Sequence, residues 1–445
     1  MKKNILIVGG GLAGIASAIF HAREGTKVTV LEQTEELGGL MRSYTSPEGF
    51  SFDYGTHFLR QTGVDDIDKE IFDNLPASDW IFFPYLKCGN FFERQLNLDS
   101  PFILASRIRE DDYTKGLVEF LECRPQPDKF KNLSDQLVGT FGRTFYEKIH
   151  RPLIKKFYDR DPSTLEVDSH MILGLNRILV ENPERSRQLK LTSFNDSRLG
   201  FHSYREGVSG LKSIYPRTGG IGKWVAVLRS IMMNKGICVQ TSVSVNSLQV
   251  TAGRVRSAVL SNGDSIVVDK LVWTIPPTIF LNLAKEEYEK RKLTFVSPRV
   301  YHLLSNRSPN TDAYYITCHD HQLKTYRVTL HTNCNETKCG EFYPFTVEVI
   351  SHDHCDTNTE RSQILKELTI MNLFDSDARI QLINVEIVRN GIPIPEVGYR
   401  NTILEHLSMS RSIASNVSFV GKSTGEKFFM NDVLMDAFQD SNVLY

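Results

Sequence analysis

Asn4-Ile5-Leu6-Ile7-Val8-Gly9-Gly10-Gly11-Leu12-Ala13-Gly14 and, after a helical pattern reaching about Arg23, Lys27-Val28-Thr29-Val30-Leu31-Glu32 decide the fold of this chain. Two short β-rich runs, 4–8 and 27–31, enclose a helix beginning near Leu12, which is the strand–helix–strand order of a parallel sheet. In that context Gly9 permits the tight turn, Gly11 lets backbone approach a pyrophosphate, and Gly14 lets the helix pack on the strand. The helix start, Leu12 and Ala13 included, offers N–H groups without an intrahelical acceptor and the positive end of the helix dipole. Glu32, followed by Gln33, sits where a carboxylate accepts hydrogen bonds from a ribose diol and disfavours a 2′-phosphate.

The chain has 445 residues, a formal net charge of −1, 41 % apolar and 24 % charged residues. That length exceeds the roughly 250–300 residues at which single cores stop growing, and the composition is that of a globular protein with no polyanion partner such as a nucleic acid. The longest apolar stretch, Ile5 to Phe20, is interrupted by four glycines and is too short to span a bilayer. The Lys2-Lys3 start lacks a signal-peptide cleavage pattern, so the cytoplasm is the expected compartment. Seven scattered cysteines suit free thiols better than a disulfide framework.

Further along, β-like runs at 237–240, 253–260 and 265–272 surround the turn pair Asn262-Gly263. Lys115–Cys123 and Phe141–Phe157 lean towards helix. From Arg299 to Ile350 polar and apolar residues alternate, as in Tyr326-Arg327-Val328-Thr329-Leu330, which predicts antiparallel sheet with one solvated face.

Leu37-Gly38-Gly39-Leu40-Met41-Arg42 and Gly49-Phe50-Ser51-Phe52-Asp53-Tyr54-Gly55-Thr56-His57 resemble consecutive segments of the flavin enzymes that include amine oxidases, protoporphyrinogen oxidases, phytoene desaturases and UDP-galactopyranose mutases. Asn416-Val417-Ser418-Phe419-Val420-Gly421-Lys422, with Asn431-Asp432-Val433 after it, resembles the last motif of that superfamily. Gly236 to Val243, Thr274-Ile275-Pro276-Pro277 and Tyr215 to Gly222 resemble its intermediate segments. The resemblance covers roughly 1–60, 205–280 and 400–445. It implies an α/β, Rossmann-type FAD-binding domain of the GR2-like kind (1–75, 205–290 and 400–445) interleaved with an α+β substrate domain (76–204 and 291–399) containing an antiparallel or mixed sheet. It also implies non-covalent FAD, since no cysteine follows Cys355 near the last motif. Gly39, Leu40 and Arg42 would lie by the pyrophosphate, Arg42 standing in for the arginine that relatives carry at the Leu40 position. Gly55, Thr56 and His57 would pass the isoalloxazine, Val243 the adenine side, and Gly421, Lys422, Asp432 and Val433 the flavin end, with Thr274 a further cofactor-binding residue at the stop after the next strand. Lys422 replaces a usual arginine and Thr424 a usual glycine.

In the other half, Arg151-Pro152-Leu153-Ile154-Lys155-Lys156 is similar to a Pro-x-x-x-Lys element of mutase-like and oxidase-like members, and Ile392-Pro393-Ile394-Pro395 to a Tyr-Pro-x-Pro stretch of the galactopyranose mutases, with Ile392 in place of the tyrosine. These imply an anionic small-molecule substrate, a nucleotide sugar among the candidates, with Arg151, Lys156 and Arg217 as its partners. His57, Lys156 and Arg217 are the candidate catalytic residues. Cys318-His319-Asp320-His321, Cys334, Cys339 and His352-Asp353-His354-Cys355 show no paired ligand spacing, so no metal is expected. No Gly-x-Ser-x-Gly or His-Glu-x-x-His occurs, and no second dinucleotide fingerprint. Three readings stand: hydride transfer from a substrate to flavin N5, mutase-like isomerisation of a nucleotide sugar by reduced flavin, and a flavin-binding scaffold without chemistry. Oligomeric state is not legible.

Overall fold

Ile5 to Val8 are buried, and the strand they belong to, Lys3–Val8, lies in the middle of a parallel sheet, where an apolar run is covered on both faces. The computed structural model describes residues 2–443 apart from 125, 127, 128, 286–292, 338, 339, 351 and 353–356. The sheet order is Cys238–Gln240, Thr26–Leu31, Lys3–Val8, Lys270–Trp273, Val417–Phe419, and every pairing in it is parallel. Its strands are drawn from 1–75, 205–290 and 400–445, so the sheet closes only after the chain has left and returned twice. Helices Leu12–His21 and Met430–Asn442 pack together on it, with Phe20 meeting Phe438 edge to face at 5.3 Å. Asp440 ties the last helix down, 3.0 Å from His21 Nε2 and 2.9 Å from the buried ammonium of Lys270.

A second, seven-stranded sheet runs Ile380–Ile387, Arg299–Ser305, Tyr343–Val349, Thr325–Leu330, Tyr315–Cys318, Cys88–Phe92, Gln95–Asn97. It is antiparallel except where Tyr315–Cys318 pairs with Cys88–Phe92, so it is mixed. The expectation of a solvated face is corrected here. Residues 300–305 and 344–349 are buried throughout. Tyr301 and Leu303 face helix Thr357–Ile370, where the Tyr301 hydroxyl donates to Glu360 and Leu303 joins Ile364 and Leu368. His302 and Leu304 face the other way, onto Tyr44 and Phe52. The alternation therefore marks a polar face turned inward against residues 43–58, where Arg327, Thr329 and Glu348 bond to protein groups rather than water.

Helices Glu110–Glu122, Leu133–Phe141 and Arg151–Tyr158 enclose a separate core around Phe120, Phe141 and Phe145. The helix pattern over 141–157 is broken at Gly142, whose φ of +84° no regular helix accepts, and resumes through a π turn, Tyr146–His150. No helix among the described residues is long and apolar enough to cross a membrane.

Candidate cofactor site

At the end of the first strand Gly9 turns with φ +106°. A β-carbon on Gly14 would lie 1.8 Å from the Gly9 carbonyl oxygen, so helix and strand touch at a distance that only glycine allows. Gly11 differs: nothing stands within 4 Å of where its β-carbon would be. It is the N-cap of helix Leu12–His21, and no side chain caps that helix. The second glycine pair packs directly on the first, with the Gly38 N–H donating to Gly10 O at 2.8 Å. Gly39, at φ +55°, would bring a β-carbon to 3.3 Å from the Gly11 Cα.

Two joined cavities open over this turn. One, of about 300 Å³, is lined by Gly9, Gly11, Leu12, Ala13, Glu32, Leu40, His57, Thr274, Lys422 and Val433, all candidates from sequence, together with Gly38, Met41, Ile275, Phe428 and Met430. The other, of about 210 Å³, shares Gly9, Glu32 and Ile275 with it and continues along Gln33 and Val243 to Ile279 and Leu283. Glu32 stands at the junction. Its Oε2 accepts from the Gly10 N–H at 2.7 Å, and its Oε1 accepts from the Thr34 N–H and hydroxyl, each at 2.8 Å. Three protein donors thus fix the carboxylate, which leaves about one of its four acceptor sites for a ribose hydroxyl.

The far end of the larger cavity is different in character. Helix Met430–Asn442 begins there with no side-chain cap, Asp432 is in its first turn, and Met430 and Val433 are on the cavity wall. Lys422 has no ion-pair partner among the described residues. Gly421, at φ +74°, donates its N–H to Asp436 Oδ2 at 2.7 Å and leaves 2.8 Å between its would-be β-carbon and Ala13. His57 Nε2 is shielded from solvent and unpartnered. Burial draws the His57 imidazole down to about 4, Arg327 and Lys422 reinforcing and Glu348 and the Tyr54 backbone opposing. The ring is therefore neutral near pH 7 and forms part of the cavity wall.

His57 is held by a strip that crosses the inward face of the seven-stranded sheet. Thr56 donates its N–H to Glu348 Oε1 at 3.1 Å, and its hydroxyl lies at hydrogen-bond distance from Thr329 and Glu348. Phe58 packs on Tyr314 and Tyr315. Glu348 is itself paired with Arg327, whose Nε and terminal nitrogen donate to its two oxygens at 2.7 and 2.9 Å. Burial opposes the charge on Arg327, but Glu348 outweighs it and raises the guanidinium above its ordinary range. Arg327 and Glu348 were not anticipated as site residues. Their only sequence signal is a charge on alternate positions of two predicted strands.

Four expectations are corrected by placement. Lys156 does not line the cleft: its ammonium donates to the Cys318, Asp320 and Thr325 carbonyls at 3.1, 3.0 and 2.8 Å. Arg217 clasps the surface, donating to Ala77 O at 2.8 Å and pairing with Glu336. Arg151 pairs with Asp161 at 2.8 Å at the exposed start of helix Arg151–Tyr158. Arg42 points away from the larger cavity, with Nε 3.1 Å from Gly39 O and its guanidinium over the Tyr54 ring. Such cations settle on whichever carbonyls or carboxylates the fold brings near, and sequence spacing does not say which acceptor that is. Gly55, at φ +135°, would set a β-carbon 3.4 Å from Glu348, so it faces the sheet. In the Cys/His stretch Cys318 and His319 are buried and His352 Nε2 lies 3.1 Å from Phe157 O. Cys339, Asp353, His354 and Cys355 lie outside the described residues. Among the described residues no three His, Cys, Asp or Glu side chains are placed to share a metal ion.

This geometry defines a Rossmann-type fold of the dinucleotide-binding kind, shared with solved flavin-dependent oxidoreductases. Residues 7–75 match the family model of an NAD(P)-binding Rossmann-like domain. A reduced UDP-galactopyranose mutase superposes with a TM-score of 0.78 at 17 % identity, covering 99 % of this chain and 95 % of that one. A protein from Exiguobacterium sp. 255-15 assigned as a protoporphyrinogen oxidase superposes with a TM-score of 0.69 at 14 % identity, covering 99 % and 98 %. In sequence, the 4,4'-diapolycopen-4-al dehydrogenase of Metabacillus indicus is 24 % identical over 289 residues, 60 % of this chain and 55 % of that protein. The chain thus spans little more than half the length of that relative.

Proposed function

We propose that this protein is an FAD-dependent oxidoreductase of the amine oxidase and protoporphyrinogen oxidase-like kind, acting on a small molecule. The observation that carries the proposal is the continuous cleft that starts at Gln33 and Val243, passes the open Gly11 and ends at His57 and Lys422. Its residues fit FAD. The longer cavity holds room that a side chain on Gly11 would fill, and two uncapped helix starts face it with unpaired N–H groups. Adenine belongs in the Val243 end, the ribose at Glu32, the pyrophosphate over Gly11 to Ala13, and the isoalloxazine beside Leu40, Met41 and His57.

When bound, FAD supplies an acceptor for hydride at its N5. The chain's own part is electrostatic and geometric. Lys422 and the start of helix Met430–Asn442 put positive potential at the pyrimidine end. His57 presents a neutral nitrogen that can take or hold one proton near the ring, and Phe428, Met430 and Val433 keep that end dry.

Purified protein should be yellow, and heat should release one FAD per chain rather than FMN. Colourless protein that takes up no added FAD refutes the proposal. A second reading, flavin-dependent isomerisation of a nucleotide sugar, is favoured by the mutase superposition over 99 % of the chain and by the polar sheet face carrying Arg327, Glu348 and His302. Photoreduced enzyme that isomerises UDP- or dTDP-sugars without consuming oxidant selects it; dye or oxygen reduction by a candidate substrate selects the oxidoreductase.

A further inference from the structure

The strip from Tyr54 to Arg60 lies between two bodies and belongs to neither sheet's interior. Successive side chains point opposite ways, as in any extended segment. Thr56 and Phe58 face the seven-stranded sheet, at Thr329 and Tyr315, while His57 lines the cleft and Leu59 joins the core of the dinucleotide part. What holds the His57 end of the strip is not a strand ladder. Only Leu59–Arg60 pairs with a strand, through Ser213 and Ile214. Gly55 and Thr56 are fastened by one carboxylate instead.

We infer that Glu348 is a positioning residue for the cofactor site, fixing the Gly55–His57 backbone through Thr56 so that His57 lines the cleft, with Arg327 fixing Glu348 in turn. The geometry supports this from several sides. Glu348 is 8 % exposed and accepts four bonds: two from Arg327, and the N–H and hydroxyl of Thr56. Gly55 is bent to φ +135° against the same carboxylate, with its would-be β-carbon 3.4 Å from Glu348 Oε2, and a side chain at that φ would strain the bend. Arg327 is oriented by both carboxylate oxygens and so cannot swing towards the cleft without breaking a bidentate pair. The pair therefore sets two quantities at once: the direction of His57 and the net charge behind it.

The inference rests on the reading of the cleft as an FAD site, and the test separates the two. Glu348→Gln keeps the shape but removes the negative charge and turns one amide –NH2 towards a donor, Arg327 or Thr56, so it leaves Arg327 uncompensated behind His57 and loosens the hold on Thr56. In FAD-loaded protein the flavin midpoint potential should then move to a more positive value and the flavin absorption bands should shift, while Thr56→Val, which removes only the hydroxyl, should weaken FAD binding about tenfold or less, the equivalent of one neutral hydrogen bond. In cofactor-free protein the Thr56 amide should exchange with solvent at least about tenfold faster in Glu348→Gln than in wild type. This second measurement needs no flavin, so wild type that binds no FAD refutes the cofactor reading while leaving the strip open to test. Should Glu348→Ala fail to fold, the glutamine variant still decides. Unchanged Thr56 exchange, or an unchanged potential and spectrum in the glutamine variant, overturns the inference.

Discussion

Gly14 stands beneath Gly9 with no room for a methyl group: a β-carbon there would be 1.8 Å from the Gly9 carbonyl oxygen, whereas one on Gly11 would meet no atom within 4 Å. The same motif thus contains a packing glycine and a ligand-facing glycine. Gly14→Ala must push helix from strand and should destabilise the cofactor-free protein by about 1–3 kcal/mol or more. Gly11→Val should fold, at a cost of about 1 kcal/mol for a branched residue at the N-cap, yet lose FAD affinity about a hundredfold or more. Thermal melts of apo protein and FAD titrations check both; equal stability losses without a difference in FAD affinity would show that the pyrophosphate does not sit on this turn.

Glu32→Gln tests the junction of the two cavities. Glutamine must turn one amide –NH2 towards a donor, either Gly10 N–H or the Thr34 pair, because all three present partners donate. The variant should lose about 1.5–3 kcal/mol of apo stability in addition to any weakening of the ribose contact. A variant as stable as wild type without FAD would mean that the carboxylate acts on the ligand alone.

Lys156→Met should behave as a structural lesion. The ammonium bridges three carbonyls, Cys318, Asp320 and Thr325, and so pins the turn between two strands of the large sheet to helix Arg151–Tyr158. Stability should fall by about 2–4 kcal/mol, while FAD affinity at low temperature stays near the wild-type value. A folded, fully stable Lys156→Met enzyme that has lost turnover would return Lys156 to the active site.

The protein should lose stability on acidification between pH 6.5 and about 4. Burial lowers His150 and His302 to about 3, and His170, His319 and His331 to about 4, from 6.5. In that window the unfolded chain binds protons that the folded chain refuses, so stability is full above 6.5 and drains away as pH falls through the folded values. Asp53 works in the opposite sense, since burial raises it from 3.8 to about 6 and folding then favours its protonated form at low pH. With His57 also lowered to about 4 and Asp436 also raised by burial, two carboxyls stand against six imidazoles. Melting temperature measured from pH 7.5 to 4.5 should therefore decline monotonically, and a flat profile would show these rings to be accessible to protons.

Residues 4–32 carried their own answer because the glycine spacing, the strand pattern and the helix start are local: each works through neighbours a few positions away. Gly9, Gly11, Leu12, Ala13 and Glu32 could be named from sequence and the structure brings them to one cavity wall. The inward polar face of the second sheet was not legible, since alternation of polar and apolar residues reads the same whether water or the 43–58 segment covers that face. Nor could spacing separate Lys156, spent on three carbonyls, from Lys422, which faces the cleft without an ion-pair partner among the described residues. The Arg327–Glu348 pair and its hold on Thr56 join positions 292 residues apart along the chain. Only tertiary structure sets such a contact, because the partner of a buried charge is chosen by which strands lie side by side.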